Sequence, residues 1–267
     1  MKIALFPNYE RQGTAELFFK INKILASLNV ECCSNDKLTD EECYELCDVI
    51  ITIGGDGTLI KHAKEAARYG KACLGVNTGN LGFLANVDKD TVDLLKRLKT
   101  GEYTTESRMM MEICAVKDGE RVFEGMALND AVVSSGSVGK IADIKLDVMG
   151  DRIEYRADGV IISTPTGSTA YSMSAGGPII DPAVRCLTVT PVCSHSLTAR
   201  PMILRDNAEI NIGLLESSRT SAILSVDGAQ CTAVDFDTVV KIKKSPLDAR
   251  FINLTGSTIY KTISKKF

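Results

Sequence analysis

The residues Gly54, Gly55, Asp56, Gly57 and Thr58 put a carboxylate in the middle of a glycine turn. Bare backbone N–H groups and the positive end of a helix dipole are what an anion would meet in such a turn. A negative side chain there is out of place unless it handles a metal ion or takes a proton. A second chemically loaded stretch, RADGVIISTPTGSTAYSMSAGGPII, spans residues 156–180. Small hydroxyls and glycines this dense let a ligand approach the backbone and offer it donors and acceptors. Arg156 could neutralise a phosphate there, and Asp158 could accept from a ribose hydroxyl or an amide.

These motifs need elements to hold them. DVIITI, ahead of the glycine turn, reads as a short buried strand of a parallel sheet. From Thr58 onward, Leu59, Ala63, Ala66 and Ala67 recur at helical spacing, so the turn is a strand-to-helix handover. The first hundred residues repeat this alternation. KIALFPN is a strand, and a helix carries Leu17, Phe18, Ile21, Ile24 and Leu25 on one stripe. NVECC is a strand, and a helix opens on Thr39 with acids in its first turn. After residue 70 come the strand ACLGVN and a helix around 89–99. In such sheets ligands collect at the carboxyl ends of strands, where the glycine turn and the loop NTGNLGFL (77–84) both fall. Beyond about residue 100 the pattern turns to short β-branched or alternating runs broken by Asp-Gly and Gly-Asp turns. The reading is α/β plus β: an N-terminal Rossmann-like parallel α/β domain over 1–98, and a C-terminal β-rich domain of layered sheets over 99–240. A tail over 241–267 is expected to pack back on the first domain.

Composition narrows the class. The 267 residues are 45% hydrophobic and 24% charged, with net charge −3, which argues against a nucleic-acid partner. No apolar run approaches the roughly 18 residues that span a bilayer, and the N-terminus lacks a signal-peptide pattern, so a cytoplasmic protein without a membrane partner is expected. Nine scattered cysteines with no C-x-x-C pair read as reduced thiols rather than a disulfide framework or zinc site. Cys43 and Cys47, one helical turn apart, could join in a metal site but have no histidine beside them. The chain has neither a G-x-x-x-x-G-K-[ST] loop nor a G-x-G-x-x-G fingerprint.

GGDGT, NTGNLGFL, LND, DGVIISTPTGSTAYSMSAGGPI, PVCSHSLTARP and VDG occur in the order and spacing of the bacterial NAD kinases, which this sequence resembles. GGDGT alone is shared with diacylglycerol and sphingoid-lipid kinases, and GGDG with the phosphofructokinase loop; STPTGSTAYS singles out the NAD kinases. The resemblance implies phosphorylation of the adenosine-ribose 2′-hydroxyl of NAD, with ATP or polyphosphate as donor and a divalent metal such as Mg²⁺. It also implies a homodimer or homotetramer. It makes Asp56 the catalytic base, with Gly57 at the dinucleotide and Gly54, Gly55, Gly57 and Thr58 as the phosphate loop. It makes Asn129 and Asp130 the pair that holds NAD, with Lys61, Lys140, Arg156 and Asp158 at further ligand positions. Thr169, Ala170, Tyr171, Ser172, Met173 and Ser174 fall on the adenine side, with Tyr171 placed to stack or pack.

The family's Asp-Gly-Gln is here VDGAQ, so either Ala229 takes the glutamine position or Gln230 reaches it after a local shift. His62 is expected to be a half-exposed helix residue and His195 a hydrogen-bonded structural one. Arg200-Pro201 reads as a strand-edge turn, Arg108 to Met111 as strand packing, and the closing KKF as a solvated tail. Two other functions fit less well. A lipid kinase would share GGDGT but not the polar STPTGSTAYS segment. A non-catalytic dinucleotide-binding sensor would have no need of Asp56.

Overall fold

The computed structural model describes residues 1–79, 82–85, 87–137 and 139–266. Asn80 and Leu81 of the NTGNLGFL loop lie outside them. The chain divides into two compact units, Met1–Arg108 with Leu247–Phe267, and Met109–Pro246.

The first unit begins β1 (Lys2–Pro7), α1 (Thr14–Ser27), β2 (Glu31–Ser34), α2 (Asp40–Leu46), β3 (Val49–Gly54), α3 (Asp56–Arg68) and β4 (Ala72–Asn77). The strands are short and β-branched, and all their mutual pairings are parallel, in the order β2-β1-β3-β4. Alternate residues of these strands, among them Ile3, Leu5, Ile51, Ile53 and Val76, pack with Leu17, Ile21, Ile24 and Leu25 of α1. On the opposite strand face, Phe6 stacks on Tyr44 of α2 and meets His62 of α3 at a tilt, with ring centroids 5.2 and 4.2 Å apart. A capping box between Thr39 and Glu42 starts α2, satisfying two main-chain donors at once.

The helix expected around 89–99 is shorter than its pattern. β5 (Val87–Asp88) pairs with β4, and the Asp88 carboxylate accepts from the N–H groups of Asp90 and Thr91, forming a turn there. A 3₁₀ turn (Val92–Lys96) and α4 (Arg97–Thr100) follow.

The second unit is antiparallel: β6 (Thr104–Lys117), β7 (Glu120–Ala127), β8 (Asp130–Ser135), β9 (Ala142–Val148), β10 (Asp151–Ala157) and β11 (Gly159–Ser163). These are followed by a 3₁₀ turn (Gly167–Thr169), α5 (Tyr171–Ser174), β12 (Cys186–Val192), β13 (Met202–Arg205), β14 (Ile210–Leu214), β15 (Ala222–Val226), β16 (Ala229–Val234) and β17 (Thr238–Asn253). Strands β13-β12-β11-β8-β15-β16 form one sheet; β10-β9-β14-β17 run side by side in another. Ile144, Leu146, Ile212 and Ile242 from one sheet join Val133, Ile162, Val189 and Leu224 from the other in a single core, giving the layered β architecture that the alternation predicts. Met109, Met110 and Met111 are buried in β6, as strand packing requires.

Strands β6 and β17 are the two elements that pass from one unit into the other. Beyond Pro246, Arg250 and Phe251 of β17 pair in parallel with Ala72 and Cys73 of β4. The chain ends on α6 (Ile259–Lys266), whose Lys266 ammonium stands 4.6 Å from the centre of the Phe83 ring.

Candidate functional site

The glycine turn sits where the pattern puts it. β3 ends at Gly54, Gly55 is the N-cap, and Asp56 is the first residue of α3. Asn8, just past β1, braces the turn: its main-chain N–H donates to the Ile53 carbonyl at 2.9 Å, and its side-chain amide donates to Thr58 Oγ1 at 3.0 Å. The Thr78 N–H donates to the Gly54 carbonyl at 3.2 Å, tying the end of β4 to the same turn.

Asp56 is half-buried and its carboxylate is engaged. It accepts main-chain N–H groups from Phe83 at 2.8 Å, Leu84 at 3.4 Å and Ala85 at 3.2 Å. Three of the roughly four lone-pair directions of a carboxylate are thus taken by the described residues. No local pattern of residues points to this anchorage. The approach is so close that a Cβ on Gly82 would lie 2.1 Å from an Asp56 carboxylate oxygen, which is why residue 82 has no side chain. Lys61 is exposed on α3; five residues carry it about 140° around the helix from Asp56, onto a different face.

Arg11 is a residue that motif reading passed over. Its guanidinium lies over the turn, 3.2 Å from where a Cβ of Gly55 would be, and it lines a cavity of about 620 Å³ with Glu10, Gln12, Gly13, Thr78, Gly79 and Lys89. Its position just past the carboxyl end of β1 was the available signal.

His62 corrects an expectation. It is buried, and its Nδ1 shares a 2.7 Å hydrogen bond with the Tyr44 hydroxyl. Burial pushes its pKa down to about 4, against a smaller opposing pull from Asp40. The spacing already said as much: His62 lies three residues after Leu59 and four before Ala66, on the buried stripe of α3.

A second constellation lies wholly in the Met109–Pro246 unit. Asp227 and Gly228 form the two-residue turn between β15 and β16, with φ of 47° and 82°, as a type I′ hairpin requires. The Asp227 carboxylate accepts three consecutive N–H groups, from Leu128 at 3.1 Å, Asn129 at 2.8 Å and Asp130 at 3.2 Å. The Asn129 carbonyl accepts from the Thr164 N–H at 2.9 Å, and Thr164 Oγ1 donates to the Leu128 carbonyl at 2.5 Å. Gly167 approaches so closely that a Cβ there would lie 2.1 Å from the Asn129 carbonyl oxygen. The segments LND, STPTG and VDG, far apart in sequence, therefore meet. Asp130 is buried among them, and burial first, the Asp227 carboxylate second, push its pKa up to about 7.

The hydroxyl-rich segment largely serves the fold. Ser163, Thr164, Thr166, Ser168 and Ser172 are buried. Ser163 bonds Thr188 at 2.5 Å, Ser168 bonds the Pro165 carbonyl at 2.6 Å, and Ser172 bonds Thr190 at 2.9 Å. Asn129, Thr169, Ala170 and Met173 are half-buried, while Tyr171, Ser174, Lys140, Arg156 and Asp158 are exposed. Ala229 pairs with Val226 and Gln230 with Ser225, after which a bulge shifts the register. Ala229 and Gln230 thus point to opposite sheet faces, and both are exposed. His195 is exposed, contrary to the expected structural role; it is its main-chain N–H that donates to the Arg156 carbonyl, at 2.8 Å.

Residues 9–103 match the family model described as the ATP-NAD kinase N-terminal domain, and residues 128–254 that of the ATP-NAD kinase C-terminal domain. Fold and matched domains define a phosphotransferase. An NAD kinase of Symbiobacterium thermophilum is 40% identical over 223 residues, covering 82% of this chain and 78% of that one. An NAD kinase of Natranaerobius thermophilus is 32% identical over 277 residues, covering 99% and 96%. The crystal structure of an NAD kinase from Archaeoglobus fulgidus in complex with ATP superposes with a TM-score of 0.78 at 27% identity, covering 100% of this chain and 98% of that one. The yeast NADH kinase complexed with NADH shares the fold, with a TM-score of 0.87 at 23% identity over 99% and 85% of the two chains. The chain belongs to the NAD kinase family.

Proposed function

We propose that the protein transfers the terminal phosphoryl group of ATP to the adenosine-ribose 2′-hydroxyl of NAD, giving NADP. The observation that carries this reading is Asp56 as the first residue of α3, in a turn otherwise made of glycine and threonine. An alcohol attacking phosphorus must lose its proton, be held in line, and have the charge spreading over the phosphoryl oxygens offset. The Asp56 carboxylate accepts the proton. The main-chain N–H groups at the head of α3 and the Arg11 guanidinium offset the charge on the donor. In the second unit, Asn129 and Asp130 hold the dinucleotide. Their backbone is fixed by Asp227 and Thr164, so little ordering is left for the moment of binding. Asp130, with a pKa of about 7, is poised to donate a hydrogen bond as well as accept one.

The resemblance also implies a divalent metal. Among the described residues no group of three or more His, Cys, Asp or Glu is arranged to hold one. The implied Mg²⁺ would come in on the donor's phosphates and water, since Mg²⁺ is commonly bound through substrate phosphates with few protein ligands. The proposed setting is the cytoplasm; among the described residues no helix is long and apolar enough to cross a membrane. A homodimer or homotetramer is proposed for the assembly.

The test is a coupled assay of purified protein with NAD, ATP and Mg²⁺, following NADP with an NADP-specific dehydrogenase. NADP formation is the expected result. NAD binding without turnover would instead select a dinucleotide sensor, and neither binding nor turnover would reopen a lipid kinase.

A further inference from the structure

Four of the nine cysteines gather at one edge of the first unit. Cys32 and Cys33 lie on β2, which is the outermost strand of the parallel order and, among the described residues, pairs only with β1. Cys43 lies in α2 and Cys47 is its C-terminal cap. The Cys33 sulfur is 3.2 Å from that of Cys47 and 3.8 Å from that of Cys43. Cys33 is half-buried, while Cys43 and Cys47 are fully buried. No group of three or more His, Cys, Asp or Glu placed to hold a metal ion is found among the described residues.

We propose that Cys33 and Cys47 form a reversible dithiol–disulfide pair, entered at Cys33 by exchange with a low-molecular-weight disulfide. The geometry selects this pair in three ways. Cys47 is the nearer sulfur, and bond formation at about 2.0 Å asks the two atoms to close by roughly 1.2 Å. Cys47 caps α2 in extended backbone, whereas Cys43 is held inside the helix by its N–H bond to the Thr39 carbonyl. Cys32 follows β2's alternation to the opposite face from Cys33.

Access favours Cys33 over the buried Cys43 and Cys47 as the entry thiol. Burial pushes Cys43 and Cys47 up to about 12 and Cys32 up to about 11, so these are poor first nucleophiles. At Cys47 the Lys2 ammonium pulls the other way, by less than burial pushes up.

In the first step the Cys33 thiolate attacks one sulfur of the small disulfide; that S–S bond breaks and one small thiolate leaves. In the second, the Cys47 thiolate attacks the Cys33 sulfur, the mixed disulfide breaks and the second small thiolate leaves. The two protons released by the protein thiols pass to the two departing thiolates. Two protein thiols are oxidised, and one small disulfide is reduced to two thiols.

The experiment equilibrates the folded wild-type protein in mixtures of oxidised and reduced glutathione, traps free thiols by rapid alkylation, and maps the peptides by mass spectrometry. The expected result is loss of the Cys33 and Cys47 thiols as a Cys33–Cys47 cross-link that dithiothreitol reverses. Cys47→Ser should stop at glutathione bound to Cys33, and Cys33→Ser should take up neither cross-link nor glutathione at this cluster. Full alkylation of Cys33 in the most oxidising mixture would overturn the proposal. So would a cross-link that forms only after urea unfolding, or a Cys43–Cys47 bond in Cys33→Ser. The wild-type map needs no variant to fold, and its readout is thiols rather than NADP, so it stands or falls apart from the kinase reading.

Discussion

The two units each use one carboxylate in the same way and with different surroundings. In the first, Asp56 gathers the N–H groups of Phe83, Leu84 and Ala85; in the second, Asp227 gathers those of Leu128, Asn129 and Asp130. Each faces a closely approaching main chain, Asp56 at Gly82 and the segment held by Asp227 at Gly167. Asp56 heads a helix and is the proposed base. Asp227 sits in a hairpin turn, and its effect passes to Asp130, which it helps to keep protonated toward neutrality. A carboxylate capping three amides is thus a way of fixing a loop, and only its setting separates a reactive group from a scaffold.

Variants can press on that distinction. Among effects on stability, the largest is expected for Gly167→Ala. Its methyl would meet the main chain of Asn129, which cannot swing aside, and overpacking of this kind costs about 3 kcal/mol, or roughly 6–12 °C in Tm by calorimetry. Asp227→Asn comes next, at about 2 kcal/mol in a denaturant titration, because charge-assisted bonds to three amides weaken together. In the same variant the Asp130 pKa should fall toward the ordinary carboxylate range, as followed by NMR.

The third prediction concerns pH. Asp130 has a folded pKa of about 7 against 3.8 for a free carboxyl, so between these values the native state holds a proton that the unfolded state has released. Its contribution is complete below pH 3.8 and is lost as pH rises to 7. His62, at about 4 against 6.5, works in the opposite sense: its contribution is present above 6.5 and lost as pH falls to 4. The two slopes oppose each other over most of that window. Asp130→Asn should therefore make stability climb with pH more steeply than in the wild type, by about 1.4 kcal/mol per pH unit between about pH 4.5 and 6.5. An unchanged slope would mean that Asp130 ionises normally. The smallest effect is expected for Tyr44→Phe, about 1 kcal/mol by the same titration, as His62 loses its partner in the core.

Much of this was legible in the chain. The alternation of strand and helix, the glycine turn between β3 and α3 and the change to β structure follow from local periodicity, which adjacent residues carry. The segments LND, STPTG and VDG could be named from their resemblance, but nothing local said that Asp227 bonds to amides almost a hundred residues earlier. The engagement of Asp56 was hidden for the same reason, since its partners are main-chain groups that have no letter in the sequence. Gly82 and Gly167 were the faint traces, each a residue missing a side chain because something else occupies the space. The hydroxyls of STPTGSTAYS read as ligand donors because composition shows capacity and not commitment. In the structure most of them bond main-chain carbonyls or the threonines of β12. Cys33 and Cys47 meet through the pairing of an edge strand with a neighbouring helix end, which cysteine spacing does not encode.

The claim at the centre of this account is that the Asp56 carboxylate takes the ribose proton. It is tested most directly by measuring single-turnover NADP formation and NAD affinity on the same preparation of Asp56→Asn. NAD binding within a few-fold of wild type and a rate lower by about 10²–10⁴, the usual span for a lost general base, are expected. A rate equal to wild type would contradict the claim.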